Sequence, residues 1–389
     1  MTRQTVRRCA SLLASVFVFS TLAVSPTDAQ IVKGRPSLLH QQFTHLAWTL
    51  KGDTTDVTVS QWYLPILVSA SVAPTWEVSF LSALSGSDAN WSLADDQFSG
   101  LSDSRVQVAH AMANDRVLVS AGMSLPTGKT ELTPDNRALL PWLTADFFNF
   151  PLKYPGEGFN LFGEVGTAMP AGNWTVGVGA AVHYAGEYTP FDDGRKYQPG
   201  SRILLTGSAA QDFVGRGHVA LNISAIFSGN DKASGEPVFA DGTVFDIRLS
   251  GQRKTDRGQV DASVRAILRG KNKLLDPQSL DVVLEQNNTN GSDVRLSLRG
   301  RHALRNRLDG WLSLEARFLA ANGYAPGDPL YEDAASITGL GGGLDLQLSP
   351  RATAGLGIRI WRGTSDGAAS YEPLDLSGVE IIQRLSFTI

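Results

Sequence analysis

Two stretches near the middle of the chain, residues 244–252 and 259–269, leave little freedom in what they can become. In the first, Phe245, Ile247 and Leu249 alternate with Asp246, Arg248 and Ser250. In the second, Val260, Ala262, Val264, Ala266 and Leu268 alternate with Asp261, Ser263, Arg265 and, further on, Arg269. A period of two places the apolar residues on one face of a strand and the polar ones on the other. The polar stretch 253–258 between them is short enough to be a hairpin turn. One face of this hairpin carries full charges and the other is aliphatic or aromatic throughout. Sustained around a closed sheet, that pattern requires lipid outside and water inside, which predicts an all-β fold: a closed antiparallel transmembrane β-barrel.

The pattern recurs along the chain. Hairpins are expected at 57–69 with 76–84, 104–112 with 116–125, 159–169 with 174–184, and 203–213 with 219–227. Beyond the central pair come 294–301 with 308–320, 340–348 with 352–362, and a last strand at 379–389. Longer polar connections lie between them, at 85–103, 126–158, 187–201, 229–242, 270–293, 322–336 and 363–378. Short and long connections alternate, as short periplasmic turns and long extracellular loops do in outer-membrane barrels. The last strand therefore runs towards the periplasm. Fifteen strands are legible and 43–50 supplies another. Closed bacterial barrels have even strand numbers, so the expectation is sixteen, or else fourteen. Residues 280–284 are a candidate short strand inside a loop. A soluble sandwich also alternates, but its strands average about five or six residues, well short of those here.

The N-terminus reads differently. Arg3, Arg7 and Arg8 precede an apolar run over 10–24, and Thr27-Asp28-Ala29 offers a small-residue cleavage site. That is the form of a cleaved secretory signal peptide over 1–29, followed by a short periplasmic lead over 30–42 and a barrel over 43–389. Removing 1–29 takes away three bases and one acid, which moves the formal charge from −4 to −6. Mild acidity without a basic patch predicts no nucleic-acid partner. Cys9 is the only cysteine and leaves with the signal, so the remainder has no disulfide and no thiolate metal ligand. No stretch offers eighteen uninterrupted apolar residues, so no transmembrane helix is expected.

Catalytic and metal motifs are absent from the pattern. The six histidines, His40, His45, His110, His183, His218 and His302, fall in no histidine–glutamate metal spacing. His183 with Glu187 is the nearest approach to a catalytic pair, and a polar lining residue is the simpler reading. No enzyme, cofactor or metal is expected. The inward positions of the C-terminal half are more informative: Asp246, Arg248, Asp261, Arg265, Arg269, Arg295, Arg299, Arg301, Glu315, Arg317, Asp345, Arg359, Glu380 and Arg384. Charges so mixed form cross-strand ion pairs that stiffen the wall, or an arginine-lined constriction that favours anions. The preceding strands line their lumen with Gly177, Gly179, Ala181, Thr206, Ser208, Asn222 and Ser224. One wall is charged, the other small and neutral. The longest connection, 126–158, carries Trp142, Phe147, Phe148, Phe150 and Tyr154, with Pro134, Pro141, Pro151 and Pro155. A loop of this length is usually functional. Folded into the mouth it narrows the pore and offers an apolar capture site; left outside it covers the rim.

Residues 103–110, then Asn114-Asp115-Arg116, then Ala121-Gly122-Met123-Ser124-Leu125-Pro126-Thr127-Gly128 resemble the core signature of the "MetA-pathway of phenol degradation" barrels, relatives of FadL-type uptake channels. The early hairpin at 61–80 is also similar, so the resemblance covers about 57–130 by motif. It implies an outer-membrane passive channel for small hydrophobic or aromatic molecules. Alternatives from the residues themselves are a general or anion-leaning porin and a structural barrel with an occluded lumen. FadL-type channels carry an N-terminal plug, for which 30–42 is short. Implied partners are outer-membrane lipid, the permeant, and the barrel-assembly machinery. That machinery reads alternating terminal strands such as Val379, Ile381, Leu385, Phe387 and Ile389, although such strands commonly end in an aromatic residue.

Overall fold

In the computed structural model, residues 38–90, 95–190, 194–213, 217–279, 281–367 and 372–388 are described. The signal expected over 1–29 and the terminal Ile389 lie outside the described residues. The barrel opens with β1 (Leu38–Lys51), β2 (Asp56–Ala73) and β3 (Trp76–Asn90). The next position is shared by β4 (Asp95–Leu101) and β5 (Ser104–Met112), and β6 (Val117–Leu125), β7 (Asn160–Ala171) and β8 (Trp174–Ala185) follow. After a loop strand β9 (Tyr197–Gln198) come β10 (Arg202–Phe213) and β11 (Gly217–Ser228). Loop strands β12 (Asp231–Ala233) and β13 (Glu236–Ala240) precede β14 (Val244–Lys254) and β15 (Gly258–Arg269). Loop strands β16 (Lys273–Leu275) and β17 (Val282–Leu284) precede β18 (Asp293–Arg305), β19 (Leu308–Leu319), β20 (Ala335–Ser349), β21 (Ala352–Ser365) and β22 (Leu374–Thr388).

Each barrel strand pairs antiparallel with its chain neighbour, and β1 pairs with β22 from Leu38 opposite Thr388 to Lys51 opposite Asp375. The sheet therefore closes at sixteen strand positions, because β4 and β5 both pair with β3. Apart from β4, which pairs only with β3, closure leaves no edge, which is what an apolar solvent demands of a sheet. The short strands β9, β12, β13, β16 and β17 form a second sheet above the barrel wall. Of the candidate strand at 280–284, Val282–Leu284 is β17 of this small sheet and adds nothing to the barrel, and Leu280 lies outside the described residues.

Two boundaries differ from expectation. Residues 38–42, expected to belong to the lead over 30–42, are part of β1 instead, held by β22 and β2, and residues 30–37 lie outside the described residues. The apolar alternation was read only from Phe43, since Gln41 and Gln42 interrupt it. The connection predicted over 85–103 is largely strand: β3 continues to Asn90 and β4 returns beside it. Its Ser and Asp content marks a hairpin that projects beyond the membrane into water.

Between β4 and β5 the ladder slips. Leu84 faces Leu101 while Leu81 faces Arg105, so Ser82 and Ala83 oppose three residues, 102–104. This is a β-bulge, and the Leu125-Pro126-Thr127-Gly128 motif locks into it. Thr127 Oγ1 donates to the Ser102 carbonyl at 2.9 Å and accepts from the Ser104 N–H at 2.8 Å. The Asp103 carboxylate accepts from Gly128 N–H at 2.9 Å and Glu157 N–H at 2.7 Å. The two ends of the long loop are thereby tied to one point of the wall.

The outer face has the character lipid requires. Leu312, Leu340 and Val178 are 70%, 65% and 63% exposed, values no aqueous surface would favour over so many strands. Exposed aromatics sit near both rims: Trp76, Trp174 and Phe213 at the turn end, Tyr184, Phe227, Phe245 and Phe318 at the loop end. Such girdles mark the two interfaces. No helix among the described residues is long and apolar enough to cross a membrane.

Candidate functional site

Cross-strand register aligns the lumen arginines more closely than alternation alone could indicate. Arg248 lies directly opposite Arg265, Arg265 opposite Arg295, and Arg295 opposite Arg317. Four guanidiniums therefore form one row across β14, β15, β18 and β19. Like charges directly opposite are destabilising, so the row requires compensation. Arg265 grips Asp246 with two donors, Nε at 2.9 Å and Nη2 at 2.5 Å. Arg295 Nη2 reaches Asp293 at 2.6 Å. Arg317 lies 4.0 Å from Glu315 and 4.4 Å above the Trp361 ring.

The remaining compensation comes from the long loop, which enters the lumen. Its first part is a helix, α1 (Pro134–Thr144), that Thr133 caps by accepting from Asn136 N–H at 3.4 Å. Helix α1 packs beside the β4 edge, where Asn136 Nδ2 donates to the Gln97 carbonyl at 2.6 Å. Past the helix the chain runs along the inner wall. Asp146 accepts from Arg269 Nη2 at 2.7 Å and pairs with Lys153. Arg295 Nη2 donates to the Asp146 carbonyl at 3.2 Å, and Arg317 Nη1 to the Phe147 carbonyl at 2.8 Å. From the other side of the β22–β1 closure, Trp48 Nε1 donates to the Phe148 carbonyl at 3.1 Å. Gln61 closes a two-bond clasp on Leu152, 2.7 Å to its carbonyl and 2.8 Å from its N–H.

Around this clasp sits the main apolar cluster of the molecule. Phe147, Phe148 and Phe150 are buried with Leu46, Trp48, Leu50, Val57, Val59, Ile337 and Trp361. Phe148 is 5.4 Å from Trp48, and Trp48 is 5.9 Å from Trp361, between ring centroids. The indoles lie flat because their strand neighbours have no side chain. A Cβ on Gly339 would fall 2.4 Å from Trp361, and one on Gly378 2.8 Å from Trp48.

The expected lumen residues thus divide by partner. Asp246 with Arg265, Arg359 with Glu315 (2.9 Å) and with Glu380, Arg384 with Asp345 (3.0 Å), and Arg301 with Asp309 (2.6 Å) form ion pairs within the wall. Asp261 accepts from Gln252 and Gln259, and Arg299 lies 4.4 Å over the Trp311 ring. Arg269, Arg295 and Arg317 hold the loop. Arg248 is exposed and, among the described residues, has no ion-pair or hydrogen-bond partner.

The loop aromatics also divide. Phe147, Phe148 and Phe150 pack into the wall and offer no open capture face, a correction to the expected capture site. Trp142 packs half-buried against the same cluster, 6.1 Å from Phe148. Tyr154 belongs to a different group on the β7–β14 side, where burial pushes its phenol well above the ordinary value, with Glu157 and Asp241 adding to the effect. Here Glu157 and Asp241 are each pushed up to about 7, chiefly by burial, against the pull of Arg202. Asp146 shows the reverse: burial alone would raise it, but Lys153, Arg269 and Arg295 together bring it below the ordinary value.

Trp48, Gln61, Trp311, Trp361, Asp146 and Lys153 were missed from the sequence as lumen residues. So was Glu164, which sits on the neutral wall and accepts from Gln107 Nε2 at 3.1 Å and Ser120 Oγ at 2.5 Å. Arg105 joins it there, 3.6 Å over the Phe162 ring. Of the remaining neutral positions, Gly179 opposes Thr206, Gly177 opposes Ser208, and Asn222 lies between Ser208 and Arg248.

No family model matches the chain, and no curated protein matches it. Among solved structures, the high-pH form of OprB from Pseudomonas putida is 10% identical, covering 94% of this chain and 97% of that one, with TM-score 0.48. A FadL homologue of Pseudomonas aeruginosa is 9% identical, covering 93% and 92%, at 0.44. The outer-membrane channel DcaP of Acinetobacter baumannii is 13% identical, covering 92% and 100%, at 0.43. Likeness of this degree carries no argument about what passes through; the barrel rests on its own closure.

Proposed function

We propose that this chain is a passive channel of the outer membrane for small organic molecules, apolar or aromatic ones foremost. The observation that carries this reading is the placement of the loop's middle part, residues 146–152, against one side of the lumen. It is clamped to the β1–β2 and β15–β21 walls by Trp48, Gln61, Arg269, Arg295 and Arg317. The opposite wall keeps small inward side chains, Gly177, Gly179, Ala181 and Ser208, together with an exposed Thr206. A barrel built only to be occluded would have no need of small residues there, where larger ones would fill the space. The resemblance over 57–130 supports the aromatic preference, and Trp142, half-buried, is the loop aromatic placed to meet a permeant. In the same reading, residues 1–29 are a cleaved export signal, lipid surrounds the apolar face, and the terminal strand engages the assembly machinery.

The test is uptake by proteoliposomes of phenyl β-glucoside, a neutral aromatic that bilayers exclude. Uptake is expected with the full barrel, and faster uptake when residues 146–153 are replaced by a Gly-Ser linker. No uptake by either, with heat-modifiable gel migration showing both barrels folded, would leave only the occluded structural barrel.

A further inference from the structure

The four arginines of the row occupy the same geometry and differ in what surrounds them. Arg317, Arg295 and Arg265 have side chains 7%, 17% and 26% exposed, and Arg248, at the end of the row, is exposed. Burial falls as the row leaves the loop. Compensation falls with it. Arg317 has a carbonyl, an indole face and Glu315; Arg295 has Asp293 and a carbonyl; Arg265 has Asp246 alone. Asp246 stands two residues from Arg248 on the same face of β14, yet both of its oxygens are engaged by Arg265. On the other side Arg248 faces Asn222 of β11, where the small neutral wall begins.

From this we infer that Arg248 is the residue that selects for charge: its guanidinium is a transient seat for the anionic group, carboxylate or sulfonate, of a small permeant moving along the neutral wall. The inference rests on the channel reading and specifies its substrate class. A guanidinium suits this role because it is always charged and presents planar paired donors to a carboxylate or sulfonate. Placing it opposite Arg265 with no acid of its own costs stability, and an arriving anion relieves that repulsion. Exposure to water keeps the seat weak, so an anion held there also leaves, as conduction requires. The other three arginines are already satisfied by the protein and exert little net field on a permeant.

The test compares two bilayer-impermeant aromatics, benzenesulfonate and neutral phenyl β-glucoside, leaving preloaded proteoliposomes, with valinomycin and potassium balancing charge. Wild type is expected to release the sulfonate faster. In Arg248→Gln the sulfonate rate should fall about fivefold, the effect of one unit charge acting through water at about 4 Å, with the glucoside rate unchanged. Arg248→Lys should restore most of the loss. Equal rates of sulfonate release in wild type and Arg248→Gln would overturn the inference, as would a wild-type barrel that passes the glucoside and excludes the sulfonate. A barrel that is folded by gel migration yet passes neither solute overturns the channel reading and the seat with it. The glucoside arm thus reports on the channel, and the difference between the arms reports on Arg248.

Discussion

The loop 126–158 carries two acids eleven residues apart that meet opposite fates. Asp146 lies against the charged wall, among Lys153, Arg269 and Arg295, and is held ionised. Glu157 lies against the neutral wall with one nearby cation, Arg202, and two further acids, Asp103 and Asp231, and is held close to neutral. Burial acts on both in the same direction; the number of cations in reach decides the sign. The same contrast governs the whole lumen. Arginines on the charged wall are mostly consumed by the protein itself, in ion pairs and in clamping the loop. Counting lumen charges therefore overstates selectivity, and the informative charge is Arg248, which has no ion-pair or hydrogen-bond partner among the described residues.

The contrast is broken most severely by Asp146→Asn. Two cations, Lys153 and Arg269, would lose a shared, 15%-exposed carboxylate, and removing one partner of a buried ion cluster costs about 3–5 kcal/mol. That loss falls on loop docking, because the barrel ladder does not pass through Asp146. Limited trypsin digestion reads it: cleavage at Lys153 should be slow in the wild-type barrel and rapid in the variant, with gel migration of the uncut barrel unchanged. Equal resistance in the two proteins would show that the apolar cluster holds the loop unaided.

A second comparison uses one substitution on each wall. In Gly339→Ala the new methyl lies 2.4 Å from Cε3 of Trp361, a ring only 1% exposed and flanked by Trp48 and Arg317. Overpacking of this kind costs about 1–3 kcal/mol. In Gly177→Ala the nearest atom, at 2.7 Å, is the rotatable hydroxyl of Ser208, and the next is a carbonyl oxygen at 3.3 Å. A loss within about 1 kcal/mol is expected there. Urea midpoints of the folded gel band measure both; similar losses would mean that the two walls are packed alike.

These walls were unequally legible in the sequence. Barrel class, hairpin positions and the inward arginines were readable because lipid and water on opposite faces make parity visible residue by residue. Parity cannot say what covers an apolar face. Leu46, Trp48 and Leu50 alternate just as lipid-facing residues do, yet they turn inward because the loop roofs them. Nor does parity give register across long loops. That Arg265 and Arg295 are directly opposed depends on how the 270–292 connection is threaded, and Asp146 meets Arg269 across 123 residues of chain. Helix α1 did leave a local signal, Thr133 followed by Pro134, the cap and first-turn residues of a helix. Pro141, Pro151 and Pro155 outweighed it and made the stretch read as irregular loop. The unpaired state of Arg248 leaves no trace in sequence at all, since it depends on Asp246 turning to Arg265.

The smallest expected effect concerns the mouth acids and depends on pH. Glu157 and Asp241 have folded values near 7, above the ordinary carboxyl value that each would take in a released loop. Between those two values the docked mouth binds more protons than the released one, so raising pH favours release. The stabilisation from keeping these carboxyls protonated is complete below about pH 4 and is lost as pH rises through about 7. Arg202 opposes the loss at both residues, and Asp231 adds to it at both. Amide exchange over 154–158 and 231–241, corrected for intrinsic rates, should therefore show less protection at pH 8 than at pH 5.5. Over Asp146 protection should stay constant across that range, since its carboxylate titrates below it. Glu157→Gln mimics the protonated form and should remove part of the dependence, with Asp241 supplying the rest. A dependence equally steep at Asp146 would mean that the two acids share one environment, which the placement of their cations argues against.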